Sequence, residues 1–205
     1  MSTTPSPSKL CFVDVETTGL NPETHGIWQI ALIVEIAGAI AIRQSWRCQP
    51  FKGRDKVNDE ALAVGHVTLA DLKTFPEPGE VKTEIESLLE PLVAKRDKAD
   101  KMHFIGYNAR FDYDFLRAWW TKNGDAYFGS WFWMPPIDVM SLAGLYCMDV
   151  RPQLVNFKLP TIAKQLLNRD PDDTQEHDAL YDIELTRELF HHMRGQAIAA
   201  WKERL

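Results

Sequence analysis

The hydrophobic pattern of the chain changes its period once, near residue 80, and this change restricts the folds that the chain can adopt. Before it, apolar runs over 9–15, 27–36 and 40–48 predict three strands, and their short connections are typical of an antiparallel meander. After it, apolar residues over 80–96 follow helical spacing, and strands then alternate with helices. This order predicts an α/β fold with a mixed central sheet flanked by helices.

The remaining elements follow from local signals. Charged and Pro-rich stretches, including Pro76 to Gly79, predict loops or breaks between them. Short helices are predicted within 59–66 and 68–72, strands at 102–107 and 136–139, and helices at 109–122, 140–148, 159–167 and from about 178 onward.

Composition predicts one domain. A chain of 205 residues that is 45% hydrophobic suits a single core, which we place over 9–205. The Pro- and Ser-rich segment 1–8 predicts a disordered tail, and it has no apolar core of a signal peptide. The longest apolar run, 30–42, is too short to cross a membrane.

The net charge of −6 argues against a protein that coats nucleic acid electrostatically, but not against an enzyme whose bound cations contact phosphates. The 3 cysteines, at positions 11, 48 and 147, have neither disulfide nor zinc spacing. A reducing, cytoplasmic location is therefore expected.

Two acids lie in the first predicted strand, within the sequence FVDVETTGL. Asp14 and Glu16 are two residues apart, so they project from the same face, at the strand end where Gly19 turns the chain. Carboxylates this close repel each other, and a divalent cation such as Mg²⁺ or Mn²⁺ would remove that repulsion. The alternative is two solvated acids at a surface strand end.

A second acid cluster lies in GYNARFDYDFL. Phe111 and Phe115 are spaced to face the core, and Asn108 can cap the helix that begins there. Asp112 then lies in the first helical turns, where an acid also complements the helix dipole. Asp114 receives less weight, because it lies about 200° around the helix from Asp112.

The third cluster is EHDALYDIELT. His177 and Asp182 would be about 140° apart on a continuous helix and would point away from each other. If Asp178 caps a helix that starts there, His177 lies on the preceding loop and can turn toward Asp182. An imidazole in that position suits a general base that takes a proton from an attacking water.

Together these three motifs, in this order, resemble those of the DnaQ-like 3′-to-5′ exonucleases, in the DEDDh branch. The resemblance implies a ribonuclease-H-like fold that opens with three antiparallel strands. It also implies that Asp14, Glu16, Asp112 and Asp182 hold two divalent cations, Mg²⁺ or Mn²⁺. By the same resemblance His177 is the general base, and Tyr181 does not fit the branch that uses a tyrosine.

The resemblance also suggests where substrate binds. The backbone of Thr17 and Thr18, beside Gly19, would meet the terminal 3′-hydroxyl, and Leu20 would wedge beside the terminal base unless it is a core residue. Asn108 is a further candidate substrate contact. His66 is a weak candidate, because its order Gly-His reverses the family's usual His-Gly and a core or loop role fits equally well. Most of the seven tryptophans are expected in the core, although some could stack on unpaired bases.

The expected activity is release of nucleoside 5′-monophosphates from single-stranded or frayed DNA 3′ ends by two-metal-ion hydrolysis. The same chemistry on RNA is one alternative, and a catalytically silent nucleic-acid-binding module is another. The expected partner is a nucleic acid 3′ end, with no membrane. Association with a polymerase is left open but is not indicated, and the sequence also leaves a monomer and a homodimer open.

Overall fold

The computed structural model describes residues 8–170, 172 and 177–202. Its centre is a five-stranded sheet with the strand order β3-β2-β1-β4-β5. The strands are β1 (Lys9–Thr17), β2 (Ile27–Ile36), β3 (Ala39–Arg47), β4 (Met102–Gly106) and β5 (Phe132–Asp138). β1, β2 and β3 pair antiparallel, whereas β4 pairs parallel with both β1 and β5. The predicted mixed sheet of a ribonuclease-H-like fold is confirmed.

Seven α-helices accompany this sheet in the described part of the chain. They are α1 (Asp59–Val64), α2 (Leu69–Leu72), α3 (Pro78–Leu89), α4 (Ala109–Lys122), α5 (Val139–Tyr146), α6 (Leu159–Leu167) and α7 (Ala179–Lys202). Short 3₁₀ turns cover Phe128–Ser130 and Arg151–Gln153. None of the helices in the described ranges is long and apolar enough to cross a membrane.

Strand β1 separates the two main cores of the protein. Its alternate side chains Cys11, Val13 and Val15 pack with α3 and α4. Leu10 and Phe12 pack on the opposite face with α5, α6 and α7. By the same alternation, Asp14 and Glu16 project toward α7 at the carboxyl end of this face.

Several predicted elements match the structure. β2, α4 and α6 have the predicted bounds. The helix predicted over 80–96 is present, but both of its predicted bounds are wrong, since α3 covers Pro78–Leu89. Proline is favourable in a first helical turn, where no N–H is needed, so Pro78 starts the helix instead of breaking it. Pro91 cannot continue the helix, which accounts for its earlier end.

The last strand is longer than the predicted 136–139. β5 begins at Phe132, and its register with β4 shifts between His103 and Ile105. An edge strand with such an irregularity tolerates the two prolines that hid it in the sequence. The core assignment of most tryptophans is confirmed, because five of the seven are buried while Trp133 and Trp201 are 38% and 64% exposed.

The predicted tail over 1–8 lies outside the described residues, apart from Ser8. The carbonyl of Ser8 accepts a hydrogen bond from the Ala37 N–H at 3.1 Å, which ties it to the turn between β2 and β3. All three cysteines are buried free thiols.

Candidate active site

Strand β1 brings the first two predicted acids to the middle of the sheet. Asp14 and Glu16 lie opposite Ala31 and Gln29 of β2, and both side chains are partly buried. Burial raises the pKa of Asp14 well above its usual range, and repulsion from Asp112 and Asp182 adds to the effect. Burial likewise raises the pKa of Glu16 to about 8, with further repulsion from Asp182 and Asp112.

Asp112 reaches the same place from the other face of the sheet. It lies in the first turn of α4 and is 3% exposed, and its Oδ1 accepts a hydrogen bond from the Val15 N–H at 3.2 Å. Burial raises its pKa to about 8, although the bond from Val15 opposes the shift. A Cβ on Gly106 would lie 3.2 Å from the Asp112 Oδ2, so glycine leaves room for this carboxylate.

Asp138, which the sequence reasoning missed, holds the turn before α4. Asn108 occupies the N-cap position in a left-handed conformation, with φ of 65°, but its side chain makes no capping hydrogen bond. The predicted capping role of that side chain is therefore wrong. Asp138 Oδ1 instead accepts from the N–H groups of Asn108 at 2.9 Å and Ala109 at 3.4 Å.

Asp138 also caps its own helix, α5, by accepting from the Met140 N–H at 3.2 Å. An acid between a strand and a helix is a recognisable N-cap signal, but the sequence does not show that it also serves a second helix. The exposed side chain of Asn108 is thus presented by a fixed backbone turn.

The third motif folds as its spacing predicts. Asp178 caps α7, accepting through Oδ1 from the N–H groups of Leu180 at 3.0 Å and Tyr181 at 3.2 Å. His177 precedes the cap in a left-handed conformation with φ of 66°. One potential ligand atom from each of Glu16, His177 and Asp182 lies within 4.8 Å of the others. The predicted approach of His177 to Asp182 is present in the structure.

The segment after β1 forms a tightly bonded loop. Thr18 is fully buried; its N–H donates to the Gly26 carbonyl at 2.9 Å and its hydroxyl to the Lys56 carbonyl at 2.7 Å. The same hydroxyl accepts from the Gly26 N–H at 2.9 Å. These bonds commit the polar groups of Thr18 to the loop itself. Leu20 is 84% exposed, so the alternative that it is a core residue is wrong.

Lys122, which no sequence motif singled out, stabilises this loop. The Lys122 ammonium, at the end of α4, donates to the carbonyls of Pro22 and His25, each at 2.9 Å. Its third bond, of 2.6 Å, is to the Asp55 carboxylate, whose side chain is fully buried. The helix that carries Asp112 at one end therefore supports the loop that carries Leu20 at the other.

The other predicted substrate residues differ in their surroundings. Thr17 is partly buried at the end of β1, and its hydroxyl donates to the Gly19 carbonyl at 2.8 Å. A Cβ on Gly19 would lie 2.2 Å from the His25 ring. His66 is exposed on the turn after α1, which excludes core packing, and no described contact joins it to the carboxylates.

A mixed sheet with four carboxylates near its first strand is the arrangement that the resemblance to DnaQ-like 3′-to-5′ exonucleases leads us to expect. The sequence comparison agrees, because a model of the exonuclease family RNase_T matches residues 11–190. The chain belongs to this exonuclease family.

Individual relatives support the same assignment. The chain is 30% identical over 201 residues to ribonuclease T of Shewanella denitrificans, covering 92% of this chain and 82% of the relative. Ribonuclease T of Buchnera aphidicola is 28% identical over 201 residues, with coverages of 92% and 86%.

Two solved structures share the fold. The zinc-bound complex of E. coli exonuclease I with single-stranded DNA has a TM-score of 0.70 at 21% identity, over 92% of this chain but only 41% of that protein. The nuclease domain of 3′hExo, a DEDDh family member bound to rAMP, has a TM-score of 0.69 at 18% identity, over 93% of both chains. The predicted enzyme class is confirmed, and the alternative of a silent binding module is not supported.

Proposed function

We propose that this exonuclease removes nucleoside 5′-monophosphates from single-stranded or frayed 3′ ends, with Asp14, Glu16, Asp112, Asp182 and His177 as its catalytic set. The observation that carries the proposal is the convergence of acids from β1, α4 and α7, with His177 beside Glu16 and Asp182. Acids so distant in sequence rarely share a buried site without a function.

The donor set fits divalent cations. Carboxylate oxygens are the ligands that Mg²⁺ and Mn²⁺ prefer. Burial raises the pKa values of Asp14, Glu16 and Asp112 because it disfavours the ionised carboxylates, which a cation would stabilise. We assign the four carboxylates to two such ions. When bound, two cations would neutralise the charge of the phosphodiester and stabilise the attacking and leaving oxygens of an in-line displacement.

The protein groups have separate tasks in this scheme. The carboxylates of β1 are fixed by the sheet, while the bond from Val15 holds Asp112 in place. The imidazole of His177 accepts the proton of the attacking water, and the capped start of α7 sets its position. Leu20 packs beside the terminal base, and the Thr17 backbone and Asn108 contact the terminal nucleotide.

We favour DNA as substrate, as in the solved complex of exonuclease I with single-stranded DNA, and RNA is the second candidate. The proposed site takes an unpaired 3′ end, which DNA and RNA both provide. None of the proposed residues is assigned to a 2′-hydroxyl, the group that distinguishes RNA from DNA. RNA is supported by the curated relatives, which are named ribonuclease T. A solved neighbour with a TM-score of 0.70 at 16% identity is a 3′-exonuclease that recognises a histone mRNA stem-loop.

The test uses 5′-labelled single-stranded DNA, matched RNA and a mismatched duplex, each with Mg²⁺, Mn²⁺ or EDTA. We expect a ladder that shortens from the 3′ end only with metal, and the relative rates choose the polymer. Asp112→Asn should lower kcat by at least about 100-fold, since it removes a charge but preserves shape.

Asp114→Asn is the matched control. It makes the same substitution two residues further along α4, where Asp114 pairs with Arg110 at 2.6 Å. We expect it to retain the wild-type rate. Equal activity of the two variants, or shortening in EDTA, would refute the assigned site.

A further inference from the structure

A groove continues from the candidate active site across the carboxyl ends of the parallel strands. One cavity of about 320 Å³ is lined by His177 and Asp182 together with Tyr107, Met140 and Phe157. A second cavity, of about 480 Å³, shares Met140 and Phe157 and extends to Met148 and Arg151. Both volumes are typical of ligand sites. We call the two together the 157 groove.

The position of the groove suits a single nucleic-acid strand that leads into the candidate active site. Tyr107 follows β4 and Met140 lies in the first turn of α5, just after β5, whereas the loop bearing Leu20 follows β1. Since β4 and β5 lie beyond β1 in the sheet, the groove extends away from β1 across their carboxyl ends. Open α/β sheets bind their ligands along this edge.

Phe157 forms a fixed aromatic surface within the groove. Its carbonyl accepts a hydrogen bond from the Tyr107 hydroxyl at 2.8 Å, which ties the loop before α6 to the end of β4. The residues on either side are also bonded: Asn156 Oδ1 accepts from the Lys158 N–H at 3.0 Å and from the Thr161 hydroxyl at 2.6 Å. The Phe157 ring is only partly buried. It is therefore held by its backbone while one part of it faces solvent.

Positive charge lies beside this aromatic surface in a chain whose net charge is −6. The Arg151 guanidinium is 4.6 Å from the centroid of the Phe157 ring, and Lys158 lines the cavity next to His177. Arg151 and Lys158 are both exposed. Arg151 lies over one face of the ring, so a base would stack on the other face, and aromatic rings accompanied by cations are the pattern that binds unpaired bases and their phosphates.

We propose that the 157 groove binds the single-stranded segment on the 5′ side of the scissile phosphate, with a base stacked on Phe157 and phosphates contacted by Arg151 and Lys158. This inference rests on the proposed function, because continuity with His177 and Asp182 gives the groove its direction. DNA and RNA share the recognised chemistry of stacked bases and phosphates. The groove selects against paired ends, since the bases of a duplex are stacked on their neighbours and leave no free face for the ring.

The test compares two substrates with the full-length protein. The p-nitrophenyl ester of thymidine 5′-monophosphate contains only the terminal nucleotide, whereas an eight-nucleotide single strand, as DNA and as RNA, also fills the groove. Phe157→Ala should lower kcat/KM on the eight-nucleotide strands by about 5- to 100-fold, the effect of losing one stacking surface. The loss on the ester should be much smaller than the loss on the strands, and Phe157→Trp should restore the strand rate.

Arg151→Gln tests the phosphate contact. It should reduce the slope of log affinity against log salt by about 0.7, the value for one phosphate of a single strand. Val155→Ala is the control on the same loop, since Val155 is 88% exposed and lines neither cavity. The Tm of each variant should equal that of the wild-type protein, which would show that the substitution has not destabilised the protein.

The outcomes separate the two proposals. A loss of kcat/KM that Phe157→Ala shows mainly on the eight-nucleotide strands supports the proposal for the 157 groove. Equal rates of Phe157→Ala and Val155→Ala, or an equal loss of rate on the ester and on the strands, would overturn it. If the wild-type protein hydrolyses neither substrate, the proposed function fails instead. Fluorescence anisotropy of a labelled eight-nucleotide strand in EDTA still decides the groove in that event: binding weakened by Phe157→Ala supports it, and undiminished binding overturns it.

Discussion

Neutralising Asp112 should stabilise the protein when divalent metal is removed. The carboxyl is buried among other acids, and its pKa is raised from 3.8 to about 8. A raised acid pKa means that the native state holds the proton more tightly than the unfolded chain. Its contribution to stability is therefore complete below about pH 4 and is lost as the pH rises through about 8.

The size of the effect follows from the same shift. One pKa unit corresponds to about 1.4 kcal/mol, so the penalty of the ionised carboxylate approaches about 6 kcal/mol at most above pH 8. Asp112→Asn removes the charge and keeps an oxygen that can accept from Val15, but a buried amide costs about 1 to 3 kcal/mol. We expect a net gain of about 2 to 4 kcal/mol at pH 8, or roughly 5 to 10 °C in Tm.

Calorimetry or urea unfolding in EDTA, from pH 5 to pH 9, measures this gain. The difference between Asp112→Asn and the wild-type protein should grow with pH. Mg²⁺ should reduce it by stabilising the wild-type carboxylates. Asp114→Asn, which removes an acid paired with Arg110 on the same helix, should change stability by less than about 0.5 kcal/mol at every pH.

Two results would refute this reasoning. One is a wild-type stability in EDTA that stays level or rises between pH 5 and pH 9 while Asp112→Asn offers no advantage. The other is an equal gain from Asp114→Asn, which would mean that general charge, and not crowding at the site, sets the stability.

Three further predictions concern the supports of the site. Lys122→Met leaves the buried Asp55 carboxylate without its ion-pair partner and should destabilise the protein by about 3 to 5 kcal/mol in urea unfolding, with partial recovery on adding Asp55→Asn. Thr18→Val removes a donor and an acceptor from a fully buried side chain, so we expect a loss of about 2 to 4 kcal/mol, measured in the same way. Gly106→Ala puts a Cβ 3.2 Å from the Asp112 Oδ2, and should lower kcat at least about 10-fold while thermal unfolding remains cooperative.

Periodicity allowed much of the fold to be predicted from the sequence. β2 and α4 follow clear alternating and helical patterns, and their bounds match. Proline accounts for the errors, because its effect depends on context that a local pattern does not contain. Pro78 starts a helix, and the prolines of β5 are accommodated by an irregular edge strand, so neither is a simple break.

The positions of the acids were also predictable, whereas their supports were not. Asp14 and Glu16 share a face by strand geometry, and Asp178 caps α7 as expected. Lys122 and Asp138 act on segments far from them in sequence, so only the folded chain shows which groups they bind. The 157 groove was missed for the same reason, since it combines residues that follow three different elements.

Strand β1 and helix α7 lie near opposite ends of the chain, and this separation has a consequence for protein synthesis. On the ribosome, Asp14 and Glu16 are made with the first strand of the sheet, but Asp182 is added only after all five strands have been translated. A nascent chain that has reached the end of β5 therefore contains three of the four proposed carboxylates while messenger and transfer RNA are close by. The proposed carboxylate set is complete only once α7 leaves the exit tunnel and packs against β1, and by then all five strands have been translated.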